Sequence, residues 1–303
     1  MGDHRKIFKL ALISIFVAVF ACCEDGDGPI PHYYLDDTLD IPVFEYTTRI
    51  PSLINGESLI DSITSLELAA RERLILAMVK NGHIPDHIRV PVAIEHQQTL
   101  GDSLYNITLY VSPDYLSLGT DEDFMRIPMT PILAQKIMDE INAILPTRKM
   151  VNMIWQAAPF KLDPEPIPPS PEMVTIPVFK QHEALVDAQV LRRGTDHALG
   201  TLLAGHKKDV ILSNRVWTNL DKVVIYGWHY LTGDPIQPLY SGHVNWYADY
   251  SHGIRPVLAH CKVNGELMKI TDILRDQTLY KLLSDESGPM QLTRYDTSSS
   301  NYP

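Results

Sequence analysis

The chain has 303 residues, 45% of them hydrophobic, with 26 Lys and Arg against 37 Asp and Glu and a formal net charge of −11. That acidic balance, with no basic patch, disfavours nucleic acid and anionic lipid surfaces as partners. Three cysteines make no disulfide framework, and a globular part of about 260 residues buries a substantial core without one.

The first elements lie at the N-terminus. Arg5, Lys6 and Lys9 precede a wholly apolar run of twelve residues, Leu10 to Ala21. At about 1.5 Å each they fall short of a bilayer core of roughly 30 Å, so residues 1–21 read as a signal peptide rather than a membrane span. Val19-Phe20-Ala21-Cys22 resembles the lipobox of bacterial lipoproteins, although Phe20 is bulkier than the usual occupant of its position. The resemblance implies lipid on Cys22. The acidic run Glu24, Asp25, Asp27 resembles the tether that sends some lipoproteins to the outer cell surface. The alternative is ordinary secretory cleavage near Ala21. Both readings predict an extracytoplasmic protein, and the first a lipoprotein of the outer membrane or cell surface that touches the membrane through its lipid alone. Loss of residues 1–21 removes Asp3 and three basic residues, a net of +2, and leaves about −13.

Residues 22–45 are acidic, contain Pro29, Pro31 and Pro42, and read as a flexible tether. Thr64-Ser65-Leu66-Glu67 has the form of a capping box, and the Leu-, Ala- and Met-rich stretch to Lys80 predicts a helix closed by Asn81-Gly82. Residues 90–96 and 105–111 predict strands, the second alternating at period two, and 115–118 and 124–129 predict two more. Thr130-Pro131 predicts a helix start, with Leu133, Ile137, Ile141 and Ile144 as its apolar stripe and Pro146 as its stop. Thr147 caps a second helix whose stripe is Met150, Val151, Ile154 and Trp155. Residues 159–171 hold six prolines. They read as a linker (159–172) between an N-terminal half (46–158) and a histidine-rich half (173–295), or as an extended segment lying over the surface. Beyond them a helix is expected over 180–192, short strands over 199–203, 209–212, 223–226 and 254–260, and a closing helix over 272–283. The irregular order predicts an α+β fold of mixed short strands and helices, as one large domain or two tightly packed halves.

Seven of the twelve histidines fall between His182 and His260. Imidazoles and carboxylates bind transition metals and move protons near neutral pH. The candidate catalytic residues are therefore His206, Asp209, His229, His243, Asp249 and His252, expected to converge on one water-accessible pocket. Lys208, Trp228, Gln237, Tyr247, Tyr250 and Arg255 are the candidate substrate-binding residues. A zinc ion on His206, Asp209 and His252, with His229 or His243 as alternatives to His252, would leave a fourth position for water. No HExxH motif is present. The pattern loosely resembles zinc peptidases that cut peptidoglycan cross-links, although His206 and Asp209 are closer in sequence than the matching pair there. A metal-free site is equally open, with His206 or His252 as acid/base and Arg255 holding an anionic group. Cys261 is a weaker nucleophile candidate, since neighbouring His260 faces the other way on a strand. The plain alternatives are a solvated Lys207-Lys208 pair, core aromatics and structural histidines.

Asp114–Pro131, Leu145–Trp155, Ala204–Asn214, Ile225–His229 and Tyr247–Arg255 together resemble blocks of a family of exported bacterial proteins of undetermined activity. The resemblance implies that both halves form one functional unit and assigns no mechanism. The leading expectation is an extracytoplasmic hydrolase acting on a glycan or peptidoglycan-type substrate through a His/Asp site, with or without zinc. The alternatives are a carbohydrate- or peptide-binding surface lipoprotein that uses Trp228, Trp246 and Tyr247 as a platform, and a metal-scavenging surface protein.

Overall fold

The N-terminal helices begin differently from the Thr64-to-Glu67 pattern. In the computed structural model, which describes residues 43–48, 55–194 and 198–298, a first helix α1 (Gly56–Thr64) ends at Thr64. Asn55 caps it, accepting from the Ser58 N–H. The Thr64 hydroxyl donates back to the Ile60 carbonyl at 2.9 Å and so belongs to the last turn of α1. α2 (Leu68–Lys80) then starts after Glu67 with no side-chain cap. Local back-bonding thus displaces the expected capping box. The signal segment, Cys22 and the tether up to residue 42 lie outside the described residues.

β1 (Val92–Leu100) and β2 (Ser103–Val111) form a hairpin in unbroken register from Val92 opposite Val111 to Leu100 opposite Ser103. β3 (Ser117–Gly119) and β4 (Phe124–Arg126) pair with each other. α3 (Pro131–Glu140) is capped by Thr130, and α4 (Arg148–Ala157) by Thr147, both as their sequences predict. Glu72 of α2 accepts from the Thr130 N–H and hydroxyl at 2.7 and 2.8 Å, tying α2 to the start of α3. β5 (Ala143–Ile144) lies between α3 and α4, and β6 (Phe160–Lys161) follows α4. α5 (Ile176–Arg192) starts earlier than expected, because Pro177 is accommodated in its first turn.

The second part runs through β7 (Leu203–Ala204), β8 (Lys208–Val210), α6 (Asn214–Thr218), β9 (Ile225–His229) and β10 (Pro235–Tyr240). It continues with β11 (His252–Gly253), β12 (Val257–Leu258), β13 (His260–Val263), β14 (Glu266–Lys269), α7 (Ile270–Arg275) and α8 (Tyr280–Leu283). The expected closing helix is two short ones. Asp276 ends α7, and its carboxylate accepts from the Thr278 and Leu279 N–H groups.

The fold is α+β, one domain. One sheet runs β14-β13-β2-β12-β5, with β1 also on β2, and so takes strands from both sides of the proline-rich run. That run is bonded to the body: β6 pairs with β7, the Leu162 N–H reaches the Ala204 carbonyl, and the Tyr250 hydroxyl bonds the Ile167 N–H and carbonyl. The second sheet, β10-β9-β8-β11, carries the densest set of ionisable residues. Its strands contribute Val210 and Ile225 to the same buried cluster as Ile75 of α2, Leu109 of β2 and Ile137 of α3. Among the described residues no helix is long and apolar enough to cross a membrane.

Tyr295 closes this core near the C-terminus. Its buried hydroxyl accepts from the Val224 N–H at 3.0 Å and donates to the Ile211 carbonyl at 2.7 Å. Tyr295→Phe leaves both backbone groups unpaired and is expected to lower urea stability by about 1–3 kcal/mol. An unchanged midpoint would show that the hydroxyl bridge is absent in solution.

Candidate active site

β8 is short and enclosed, with β11 beside it in parallel and β9 antiparallel on its other side. His252 lies opposite Lys208, and Gly253 opposite Asp209. Side chains alternate along a strand, so Lys208 and His252 share one face and Asp209 takes the other. His206, Lys207 and Asp209 are all buried. Buried charge is costly unless each group finds a partner, and here each finds a different one.

His206 Nε2 is 3.1 Å from Asp114 Oδ1, while Arg126 grips the other Asp114 oxygen through two nitrogens at 2.8 Å. Burial alone would raise the Asp114 carboxyl, but Arg126, His206 and Arg255 together hold it well below the usual range. Burial pushes the His206 imidazole down to about 4 against the pull of Asp114. His206 is therefore a neutral donor to a fixed carboxylate, which is a structural role. Arg126 also meets Glu183 at 2.5 Å. Lys207 Nζ donates to the Tyr250 carbonyl at 2.8 Å and lies 3.1 Å from His182 Nδ1. Burial brings its ammonium down to about 8, with Glu183 opposing.

Asp209 differs. Its Oδ2 accepts from the Tyr115 hydroxyl at 3.0 Å, and the Arg255 guanidinium lies 4.1 Å above the Tyr115 ring. Burial pushes the Asp209 carboxyl up to about 7, with Arg255 and Tyr115 opposing. The approach of Tyr115 requires Gly253: a Cβ there would stand 2.6 Å from the Tyr115 ring and 2.7 Å from Lys207 Cβ.

β9 brings a second group to Asp209 by breaking its own alternation. Tyr226 lies opposite Asp209, so a regular strand would put Trp228 on the Asp209 face and His229 with Lys208. Gly227 (φ 105°) and Trp228 (φ 56°) instead both take positive φ. As a result Trp228 lies under Lys208, 5.1 Å from ring centroid to Nζ, and His229 reaches the Asp209 side. The place a Gly227 Cβ would occupy is 3.3 Å from His229 Cε1 and 3.4 Å from Asp209 Oδ2.

Asp209, His229, Arg255, Tyr115 and Trp155 thus line one small pocket with room for roughly one water molecule. His229 Nε2 lies 3.2 Å from Asn152 Oδ1, which also accepts from the Tyr226 hydroxyl. That contact suits a proton on Nε2 and leaves Nδ1 as the ring's acceptor. Burial lowers the His229 imidazole to about 4, so the ring is neutral at pH 7. Two of the residues that line this pocket carry a buried donor with no hydrogen-bond partner, Arg255 at Nε and Trp155 at Nε1. The outer nitrogens of Arg255 are fixed on the Ser112 and Leu203 carbonyls.

The six expected catalytic residues therefore do not converge. Asp209 and His229 share the pocket. His243, Asp249 and His252 gather with Lys208 and Tyr247 on the opposite face of β8, and His206 pairs with Asp114. Of the set considered for zinc, Asp209 and His252 fall on opposite faces of the paired strands, and His206 is engaged by Asp114. Among the described residues no group of three His, Cys, Asp or Glu is arranged to hold a metal. Of the expected substrate-binding residues, Arg255 lines the pocket and Lys208, Trp228 and Tyr247 lie on the other face. Tyr250 is anchored to Ile167, and the Gln237 amide donates to the neighbouring Pro238 carbonyl. Cys261 is buried and its thiol is pushed up to about 12, which removes it as a nucleophile at neutral pH.

Tyr115, Asn152 and Trp155 were not expected at the site. They come from sequence more than fifty residues before Asp209, and Trp155 had been assigned to a helix stripe. No protein-family profile, curated protein or solved structure matches the chain.

The Asp209 carboxyl gives a stability test. Between the ordinary aspartate value of 3.8 and about 7 it is protonated when folded and ionised when unfolded. The folded state binds the extra proton, so this residue makes stability fall as pH rises through that window. Asp209→Asn removes this contribution, so the urea midpoint of the variant minus that of wild type is expected to rise between about pH 4 and about pH 7. Identical slopes in the two proteins would contradict the assignment.

Proposed function

We propose that the protein is a hydrolase that works by acid/base chemistry in the Asp209–His229–Arg255 pocket, acting on polysaccharide or cell-wall material outside the cytoplasm. The observation that carries this reading is a buried carboxyl, protonated up to about pH 7, on the same pocket as a neutral imidazole. Between about pH 4 and about pH 7 the carboxyl keeps its proton while the imidazole is free of one, which is the acid and base pairing that hydrolysis requires.

The single water the pocket can hold attacks a substrate bond presented at its open side and gives a proton to His229 Nδ1. Asp209 gives its proton to the leaving oxygen or nitrogen as that bond breaks. Where the bond cut is an amide of wall material, Arg255 Nε and Trp155 Nε1 are the donors available to the oxygen on which negative charge develops. Solvent then carries the proton from His229 back to Asp209 and restores both groups. Tyr115 positions Asp209, and Asn152 positions His229.

The substrate class rests on the export expected from residues 1–22, with lipid on Cys22 holding the protein at the envelope, and on the Trp155 and Tyr226 rings beside His229. A zinc-dependent version through His206, Asp209 and His252 draws no support from the positions of those side chains.

The test is a turnover screen on polysaccharides and wall fragments. Asp209→Asn and His229→Ala are each expected to lower kcat/KM by about 10²–10³-fold. The pH profile should rise with a midpoint near His229's value of about 4 and fall near Asp209's value of about 7. Full activity of Asp209→Asn would refute the mechanism. Saturable binding with no product from any substrate would favour the carbohydrate- or peptide-binding protein.

A further inference from the structure

The outer edge of β1 carries backbone groups that the fold does not use. Asn106 of β2 turns both of its own toward β13: its N–H donates to the Asn264 side chain and its carbonyl accepts from the Asn264 N–H, each at 2.8 Å. Backbone groups alternate sides along a strand, so Ile107, Leu109 and Val111 turn theirs toward β1. The register then commits His96, Ile94 and Val92 to β2 and leaves the N–H and C=O groups of Ala93, Glu95, Gln97 and Thr99 facing outward. All four of these residues are exposed, and among the described residues no strand but β2 pairs with β1.

Free edges invite pairing, and proteins block them with proline, lysine, bulges or short strands. β10, an edge of the other sheet, has Pro235, Pro238 and a register shift, and β14 is only four residues long. β1 has nine residues in unbroken register, with no proline and no lysine. A groove of about 320 Å³ touches every residue from Val92 to Glu95. Successive strand residues point to opposite faces, so a groove that meets all of them follows the edge. Its far wall is apolar, formed by Ala157, Pro159 and Leu202. Glu95 stands exposed at its end and has no ion-pair partner among the described residues.

These features select an occupant. Outward N–H and C=O groups bind another extended backbone, the groove takes its alternate side chains, and Glu95 takes a cation. A second copy of this chain would bring another Glu95 and another net charge of −11, whereas a basic segment is attracted. We infer that β1 is a docking edge for another polypeptide: an extended segment that alternates apolar residues with lysine or arginine and adds as a strand beside Ala93 and Glu95. The inference goes beyond the hydrolase reading and uses none of its residues.

Fluorescence anisotropy of a short labelled peptide alternating valine and lysine, titrated with the full chain, tests it. Saturable binding is expected, at least about tenfold tighter than that of the matching valine–glutamate peptide. Ala93→Pro removes one outward N–H and leaves the β1–β2 ladder whole, so it should keep the wild-type urea midpoint and weaken the peptide about tenfold or more. Glu95→Lys, at an exposed position, serves as the second variant and should weaken it by a similar factor. Methylation of alternate peptide amides should abolish binding in one phase and spare it in the other, because only one set faces β1. Absence of saturable binding, equal binding of the glutamate peptide, or unchanged affinity in Ala93→Pro would each overturn the inference. So would a wild-type dimer in sedimentation that Ala93→Pro dissociates, since the edge would then belong to a second copy.

Discussion

His206, Lys207, Lys208 and Asp209 carry four ionisable side chains in a row across the interior, and three of the four are buried. Water cannot solvate them there, so the fold must bring a separate counter-group to each. Asp114 and Arg126 serve His206, His182 and the Tyr250 carbonyl serve Lys207, and Tyr115 and Arg255 serve Asp209. Those partners come from β4, α5 and the loops around β3 and β11, so one short strand organises elements from both sides of the proline-rich run. Removing one member of such a network leaves an uncompensated charge, typically a loss of about 3–5 kcal/mol.

The network leaves Asp209 less well compensated than its neighbours. Asp114 lies against a guanidinium held on it through two nitrogens, and its carboxyl falls well below the usual range. Asp209 has only a hydroxyl in direct contact and a guanidinium at one remove, and burial dominates. Two aspartates in one interior thus titrate on opposite sides of the ordinary value: Asp114 is a fixed anion, while Asp209 keeps its proton up to about pH 7, as the proposed acid role requires. The left-handed Trp228 belongs to the same account. A non-glycine residue at φ 56° costs on the order of 1–3 kcal/mol, and the reversal it shares with Gly227 is what sets His229 beside Asp209.

Much of the secondary structure was legible because it is set locally. Thr130-Pro131 and Thr147 cap the helices they announce, and the alternation in Tyr105 to Val111 predicts β2. The density of ionisable residues around His206–Asp209 points to β8, the strand on which the candidate pocket is built. What it could not show was the division of those residues between two faces. Regular alternation places Lys208 with His252 and away from Asp209, but it also places His229 wrongly, because two positive φ values in β9 invert the rule. Tyr115 and Asn152 were invisible for a simpler reason: they are brought in by tertiary packing, and a tyrosine or asparagine in a strand or helix pattern carries no sign of its distant partner. The capping-box expectation at Thr64 failed because its hydroxyl found a nearer acceptor at Ile60.

The account depends on one aspartate retaining its proton in a pocket at neutral pH. Carbon-13 NMR of protein labelled at the aspartate side-chain carboxyl reads that proton directly. One resonance titrating with a midpoint of about 7, and lost in Asp209→Asn, is the predicted result. A spectrum in which every aspartate titrates below about pH 5, or in which the resonance near 7 survives that substitution, would contradict it.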